Sequence, residues 1–302
     1  MALMPPSAGT CYGFDIRSAL AFEFLRQGSG EALEVEQAAT DAAPAGGTLV
    51  FDWPANGELP HTRLFQHNGG FQYWVDGGGW FLVEPGVPRV TVPIADDAIR
   101  REERLWGLPL LLCFAARGDL PLHAAAVDVG GEAVLIGAPR TFGKTTLAAA
   151  FLAAGHRVLS EDITCLRLRP HVQIVPGPAM LRVRADVAGD LDLRHADPVG
   201  GDEARVHLAV AERARGTCDP VPLRAIVLLR EGSGAPALVG VNAAEALPDL
   251  WELSFRLQGA ASFAASFGAL VDLVASVPVW NLFRPLRIDR LNETVEAVLA
   301  GI

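Results

Sequence analysis

The sequence predicts an α/β domain preceded by a smaller, mostly antiparallel β domain. Three observations predict it. Residues 134–136 are a short apolar, partly β-branched run that enters the stretch APRTFGKT at 138–145. An alanine-rich, helix-favouring segment follows at 145–154, with Gly155 as its stop. Upstream, 63–67, 71–75 and 80–83 are β-rich runs separated by Asn68-Gly69-Gly70 and by Asp76 with three glycines, which are hairpin signals.

The strand, loop and helix fit the Walker A pattern with alanine at the first glycine position. The loop's backbone N–H groups and the positive end of a helix suit phosphate oxygens. Its candidate nucleotide-binding residues are Ala138, Pro139, Arg140, Thr141, Phe142, Gly143, Lys144, Thr145 and Thr146. Lys144 would reach the β- and γ-phosphates, and the Thr145 hydroxyl would hold Mg²⁺. Of 25 lysine and arginine residues, Lys144 is the single lysine. A compact, flexible charge thus stands at the one place where it suits phosphate.

Bulk composition narrows the function classes. At 302 residues, half hydrophobic and a fifth charged, the chain suits one large or two modest globular domains. A net charge of −10 argues against nucleic-acid wrapping and against an anionic membrane surface. Cys11, Cys113, Cys165 and Cys218 are scattered and form no CxxC pair, so neither zinc nor a disulfide framework is expected. The start has no basic and apolar leader pattern, and the greasiest run, 108–116, is too short to span a bilayer. A cytoplasmic location is expected.

In chain order, 11–24 is ambiguous between strand and helix, 31–47 is expected to be loop, and 48–52 a strand. The runs at 63–83 form a meander that continues into 89–92. Trp74, Trp80 and Phe81 are candidates for a ligand platform or for core. Asp96 and Asp97 can cap a helix through Arg104, which Pro109 restarts before Gly118. The domain boundary is placed near 95: residues 1–95 as the β-rich domain, a candidate docking surface, and 96–302 as the nucleotide-binding domain.

Strands 122–129 and 132–137 flank Gly130-Gly131, a two-residue turn. Counting back pairs Val129 with Glu132, Val127 with Val134 and His123 with Ala138, which puts His123 at the mouth of the loop. Beyond the helix, an apolar strand ends in Glu161-Asp162. Two acids beside such a loop can divide the work, one near the metal and one as general base. Thr145 and Asp162 are the metal candidates, and Glu161 and Asp162 both remain candidates for the base. Arg182, Arg184 and Arg205 are candidates to clamp a phosphate. Residues 188–204, acidic and weakly periodic, are a candidate lid. A buried strand is expected at 221–229, helix over 250–277, an extended run at 279–283 and a closing helix at 289–299.

LHAAAV, the loop and GHRVLSED, 18 residues beyond Lys144, together resemble the catalytic domain of HPr kinase/phosphorylase. They resemble more closely the HPr-kinase-related proteins, including those that phosphorylate lasso-peptide precursors. The resemblance covers roughly 118–165 and extends more loosely to PGPAMLRVRAD and NLFRPLRIDRLNETVEAVL. It implies an HPr kinase/PEP carboxykinase-like fold and an ATP- and Mg²⁺-dependent kinase acting on a Ser/Thr hydroxyl of a peptide or protein. It also implies that His123 supports the catalytic carboxylate and that Lys144 is the Walker lysine. Glu161 and Asp162 stand where the family has two aspartates, so the first acid here is one methylene longer. From residues alone, a kinase of small hydroxylated metabolites and a nucleotide-binding protein without turnover stay open, as does a homo-oligomer.

Overall fold

A computed structural model describes residues 6–39, 46–56, 60–139 and 142–302. The chain divides into two compact units, Met1–Asp119 and Leu120–Ile302. This division falls beyond the expected boundary near 95 and places the first two helices with the β-rich unit.

The first unit holds β1 (Ser7–Cys11), β2 (Phe14–Arg17), β3 (Glu31–Ala38), β4 (Thr48–Trp53), β5 (Thr62–His67), β6 (Gly70–Val75), β7 (Gly79–Glu84), β8 (Arg89–Pro93), α1 (Ala98–Trp106) and α2 (Leu108–Ala116). They form one sheet in the order β1-β2-β3-β8-β7-β6-β5-β4, antiparallel except where β3 pairs parallel with β2 and β8. The meander β5 to β8 follows the turn signals. The segment expected to be loop at 31–47 instead supplies β3 at 31–38, while 40–45 lie outside the described residues. Leu33 and Val35 alternate into the core between acidic neighbours, so the period-two pattern prevails over the charge. The ambiguous stretch 11–24 contributes to the β1–β2 hairpin.

Asp97 caps α1, accepting from the Arg100 N–H at 2.9 Å, and Pro109 sits in the first turn of α2. The helices pack on β7 and β8. Buried Glu102 of α1 accepts the backbone N–H groups of Glu23 and Phe24 at 2.7 and 2.8 Å, and Trp106 Nε1 at 2.9 Å. Phe81 is core, whereas Trp74 and Trp80 are half-buried on the opposite face, with ring centroids 6.4 Å apart.

The second unit runs β9 (Leu120–Leu122), β10 (Ala124–Val129), β11 (Glu132–Gly137), α3 (Lys144–Ala153), β12 (Arg157–Ser160), β13 (Thr164–Arg167), β14 (Gln173–Val175), β15 (Met180–Arg184), α4 (Ala185–Asp190), β16 (Ala196–Gly201), β17 (Arg205–Val210), α5 (Glu212–Arg215), β18 (Val221–Glu231), β19 (Ala237–Val241), α6 (Ala243–Leu253), α7 (Ala260–Ser276), β20 (Val279–Arg284) and α8 (Leu291–Gly301). Nine strands form its main sheet, with β12-β10-β11-β18-β14-β13-β9 in line and β20 and β19 added beside β18. The pairs β11–β18 and β18–β20 are parallel.

Alternation sorts the two faces of the main sheet. Ala125, Val127, Val134, Ile136, Val227 and Leu229 point to a core shared with α3, α8, β15 and β17. Ala124, Ala126, Ala133, Leu135, Ile226 and Leu228 point to a second core shared with α6 and α7. Sheet strands buried on both sides read as continuous apolar runs, as these do. Helix was expected throughout 250–277, but α6 ends at Leu253 and α7 begins at Ala260, with Ser254 bridging to Leu122 between them.

The candidate lid at 188–204 is a different structure. It contains the end of α4 and all of β16, which pairs with β17, which in turn pairs with β15 in a three-stranded sheet. Its partners are backbone groups of the strand that follows it, a pairing its own weak periodicity does not reveal.

Candidate active site

The site gathers at the end of β11 and the start of α3. Gly130 and Gly131, with φ of 66° and 92°, make the tight turn that fixes the β10–β11 register. The ladder runs from Val129↔Glu132 through Val127↔Val134 to Ala124↔Gly137, as counted from the turn. His123, one residue beyond it, stands beside the loop.

Of the loop itself, Ala138, Pro139, Phe142 and Gly143 are described, and the expected contacts of Arg140 and Thr141 lie outside the described residues. Gly143 adopts the left-handed conformation, φ 79°, and α3 starts at the next residue with no side-chain cap. The N–H groups of the first helical turn, at Lys144, Thr145 and Thr146, therefore keep the positive end of the helix available to an anion. Lys144 folds back over the loop. Its Nζ donates to Ala138 O at 2.8 Å and Pro139 O at 3.5 Å, and lies 3.0 Å from His123 Nε2.

The acids meet the loop from β12. Thr145 Oγ1 donates to Glu161 Oε1 at 2.6 Å. Arg182, on β15, sets Nε 3.1 Å from Glu161 Oε2 and Nη2 3.0 Å from Asp162 Oδ2. His123 Nδ1 lies 3.2 Å from Asp162 Oδ1 and 3.1 Å from Asp162 O. With the Lys144 ammonium facing Nε2, the consistent tautomer carries its proton on Nδ1 and presents it to Asp162.

Environment separates the two carboxyls. Burial pushes Glu161 above the ordinary carboxylate range, against the pull of Arg182 and with Asp162 adding to the rise. For Asp162, burial also presses upward, but Arg182, His123 and Lys144 outweigh it and hold the group below its usual value. Neighbouring carboxyls pushed in opposite directions are suited to different roles.

A buried hydroxyl pair positions this acidic turn. Thr164 Oγ1 donates to Ala124 O at 2.8 Å, and Ser160 Oγ lies 2.6 Å from Thr164 Oγ1. Neither residue stands out in the sequence, because a serine and a threonine four apart have no distinctive pattern.

The fork of Arg284 also reaches the loop, from the end of β20. It is 3% exposed, and Nη2 donates to Phe142 O at 2.7 Å. Of the three arginine candidates, Arg182 reaches the acids. Arg184 instead pairs with Asp186 at 3.0 Å, and Arg205 Nη1 donates to Arg182 O at 3.4 Å.

The donor set suits Mg²⁺. That ion takes hard oxygens, usually from one or two carboxylates, and completes its shell with phosphate and water. Thr145 Oγ1 and Glu161 Oε1 are such a pair in contact. Asp162, the other metal candidate of the sequence, faces His123 and Arg182. No group of three or more His, Cys, Asp or Glu residues able to hold a metal occurs among the described residues.

No protein-family model matches the chain, and no curated protein matches it. Its mixed α/β structure is similar to the HPr(Ser) kinase/phosphatase from Coxiella burnetii at 12% identity and a TM-score of 0.33, over 60% of this chain and 94% of that one. A likeness that distant carries no argument about the site. Among the described residues no helix is long and apolar enough to cross a membrane.

Proposed function

We propose that the chain is an ATP- and Mg²⁺-dependent kinase that phosphorylates a serine or threonine hydroxyl of a peptide or protein. The observation that carries this reading is the convergence of two contacts at an uncapped helix N-terminus: Thr145 with Glu161, and His123 with Asp162. The acceptor class rests on the resemblance of LHAAAV, the loop and GHRVLSED. A biosynthetic precursor peptide is one such acceptor.

The geometry supports the following roles. The loop and first turn of α3 bind the phosphates, and Lys144 exchanges its hold on Ala138 O for phosphate oxygen. Thr145 and Glu161 would hold Mg²⁺, which supplies charge neutralisation between the β- and γ-phosphates. Asp162 is the base. Its carboxylate takes the acceptor's hydroxyl proton as that oxygen bonds to the γ-phosphorus. The bond to the bridging oxygen breaks, and ADP leaves with its electron pair. His123 orients Asp162 through Nδ1–H. A carboxylate held low is a weak base, which suffices where the transition state is loose and positioning dominates. Arg182 braces both acids and would offset the charge that spreads during transfer.

A second reading, a nucleotide-binding protein without turnover, is favoured by one observation: Arg182 ion-pairs with both acids and so competes for the base. Incubation with γ-labelled ATP, Mg²⁺ and serine- or threonine-containing peptides separates the cases. Label on a peptide hydroxyl supports the kinase, and label only on small hydroxylated molecules supports a metabolite kinase. Nucleotide binding without transfer or hydrolysis supports the second reading.

A further inference from the structure

Arg284 is a buried cation with an unusual set of partners. Its Nη2 donates to Phe142 O at 2.7 Å and its Nη1 to Pro285 O at 3.4 Å. Its Nε is buried without a hydrogen-bond partner, and no carboxylate pairs with the side chain among the described residues. Burial pulls its pKa below the ordinary arginine value. A guanidinium withdrawn from water and given carbonyl oxygens but no anion is costly, and an apolar replacement commonly leaves a fold as stable or more so. A purely structural strut would not need to be charged.

Its position indicates what the charge serves. β20 pairs parallel with β18 in register from Ile226↔Val279 to Glu231↔Arg284, and β18 pairs parallel with β11, which runs into the loop. Arg284 therefore ends a strand two places across the sheet and reaches back to the residue before Gly143. A β-carbon on Gly143 would lie 2.7 Å from Arg284 Nη2. Glycine suits 143 by its left-handed φ, and a side chain there would also crowd the guanidinium end.

We infer that Arg284 is a phosphate-positioning residue, placing a desolvated positive charge behind the loop and fixing Phe142 O so that the Gly143–Lys144 turn faces a bound polyphosphate. The anion supplies the countercharge that no carboxylate among the described residues gives Arg284. This rests on the kinase reading and adds to it a residue that lies 140 positions beyond Lys144 in the chain. Arg284 acts through the loop and takes no part in proton transfer.

The test is the R284M variant, with Mg·ATP and inorganic tripolyphosphate as probes in calorimetric titrations, and with unbound Tm and near-UV circular dichroism as fold readouts. The expected result is an unbound Tm equal to or above wild type, with affinity for both probes lower by about tenfold or more. In turnover assays KM for ATP rises more than kcat falls. If R284M lowers the unbound Tm, R284Q decides: it removes the charge and keeps an amide donor for the loop carbonyl. A loss of tripolyphosphate affinity of about threefold or more in folded R284Q supports the role, and unchanged affinity overturns it. A folded R284M that binds both probes as wild type does overturns this inference alone. A wild-type protein that binds neither probe overturns it together with the kinase reading.

Discussion

The Thr145 hydroxyl donates to Glu161 Oε1 at 2.6 Å, joining the first turn of α3 to the acidic end of β12. The longer acid spans this distance. Asp at 161 would fall a methylene short and lose the contact. E161D is therefore expected to raise the Mg²⁺ concentration needed for half-maximal turnover by about tenfold. A magnesium titration of initial rates checks it, and an unchanged requirement would show that Glu161 does not serve the metal.

Asp162 and His123 act as one unit. D162A should lower turnover by about a hundredfold, because the base is lost. H123A misplaces the same group, so the double variant H123A/D162A should lose no more than D162A alone. Rates of the three variants close this cycle, and additive losses would place His123 in a separate role.

Arg182 offers a pH test. Burial presses the Asp162 pKa upward, and Arg182, the strongest of its lowering neighbours, together with His123 and Lys144 holds it below its usual value. Activity that needs the ionised base persists until pH falls through that lowered value. R182Q removes the largest lowering influence and raises the Asp162 pKa, so the acid limb of the kcat profile should move to higher pH. A limb that stays in place would assign the base elsewhere.

Much of this site was legible because it depends on local rules. Gly130-Gly131 sets a turn, the turn sets a register, and the register brings His123 to the loop. The two acids follow the helix directly, so one strand length places them. Arg284 was not legible: its approach depends on parallel pairing across β11, β18 and β20, and parallel partners leave no turn between them to count from. β16 is hidden for another reason: it pairs antiparallel with β17 across a short turn, but its own run has little alternation. β3 is hard to read as a strand because its acidic residues mask the alternation of Leu33 and Val35. That Thr145 contacts Glu161 is a matter of side-chain length and of where Arg182 meets each carboxylate.

The first unit has its own test in Glu102. Burial raises its pKa, against the hydrogen bonds it accepts from the Glu23 and Phe24 backbone and from Trp106. E102A leaves buried N–H groups without acceptors and should cost about 3 kcal/mol in urea unfolding. E102Q keeps one carbonyl acceptor and should cost less. Equal small losses in both would mean that water replaces the carboxylate.

The central claim is that the turn at Gly143 and the ammonium of Lys144 hold the phosphates of ATP. Calorimetric titration of Mg·ATP into wild-type protein and folded K144A tests it most directly. Saturable binding to wild type that weakens by about tenfold or more in K144A is the predicted result. No heat with wild type at millimolar nucleotide, or equal affinity in the two proteins, would contradict it.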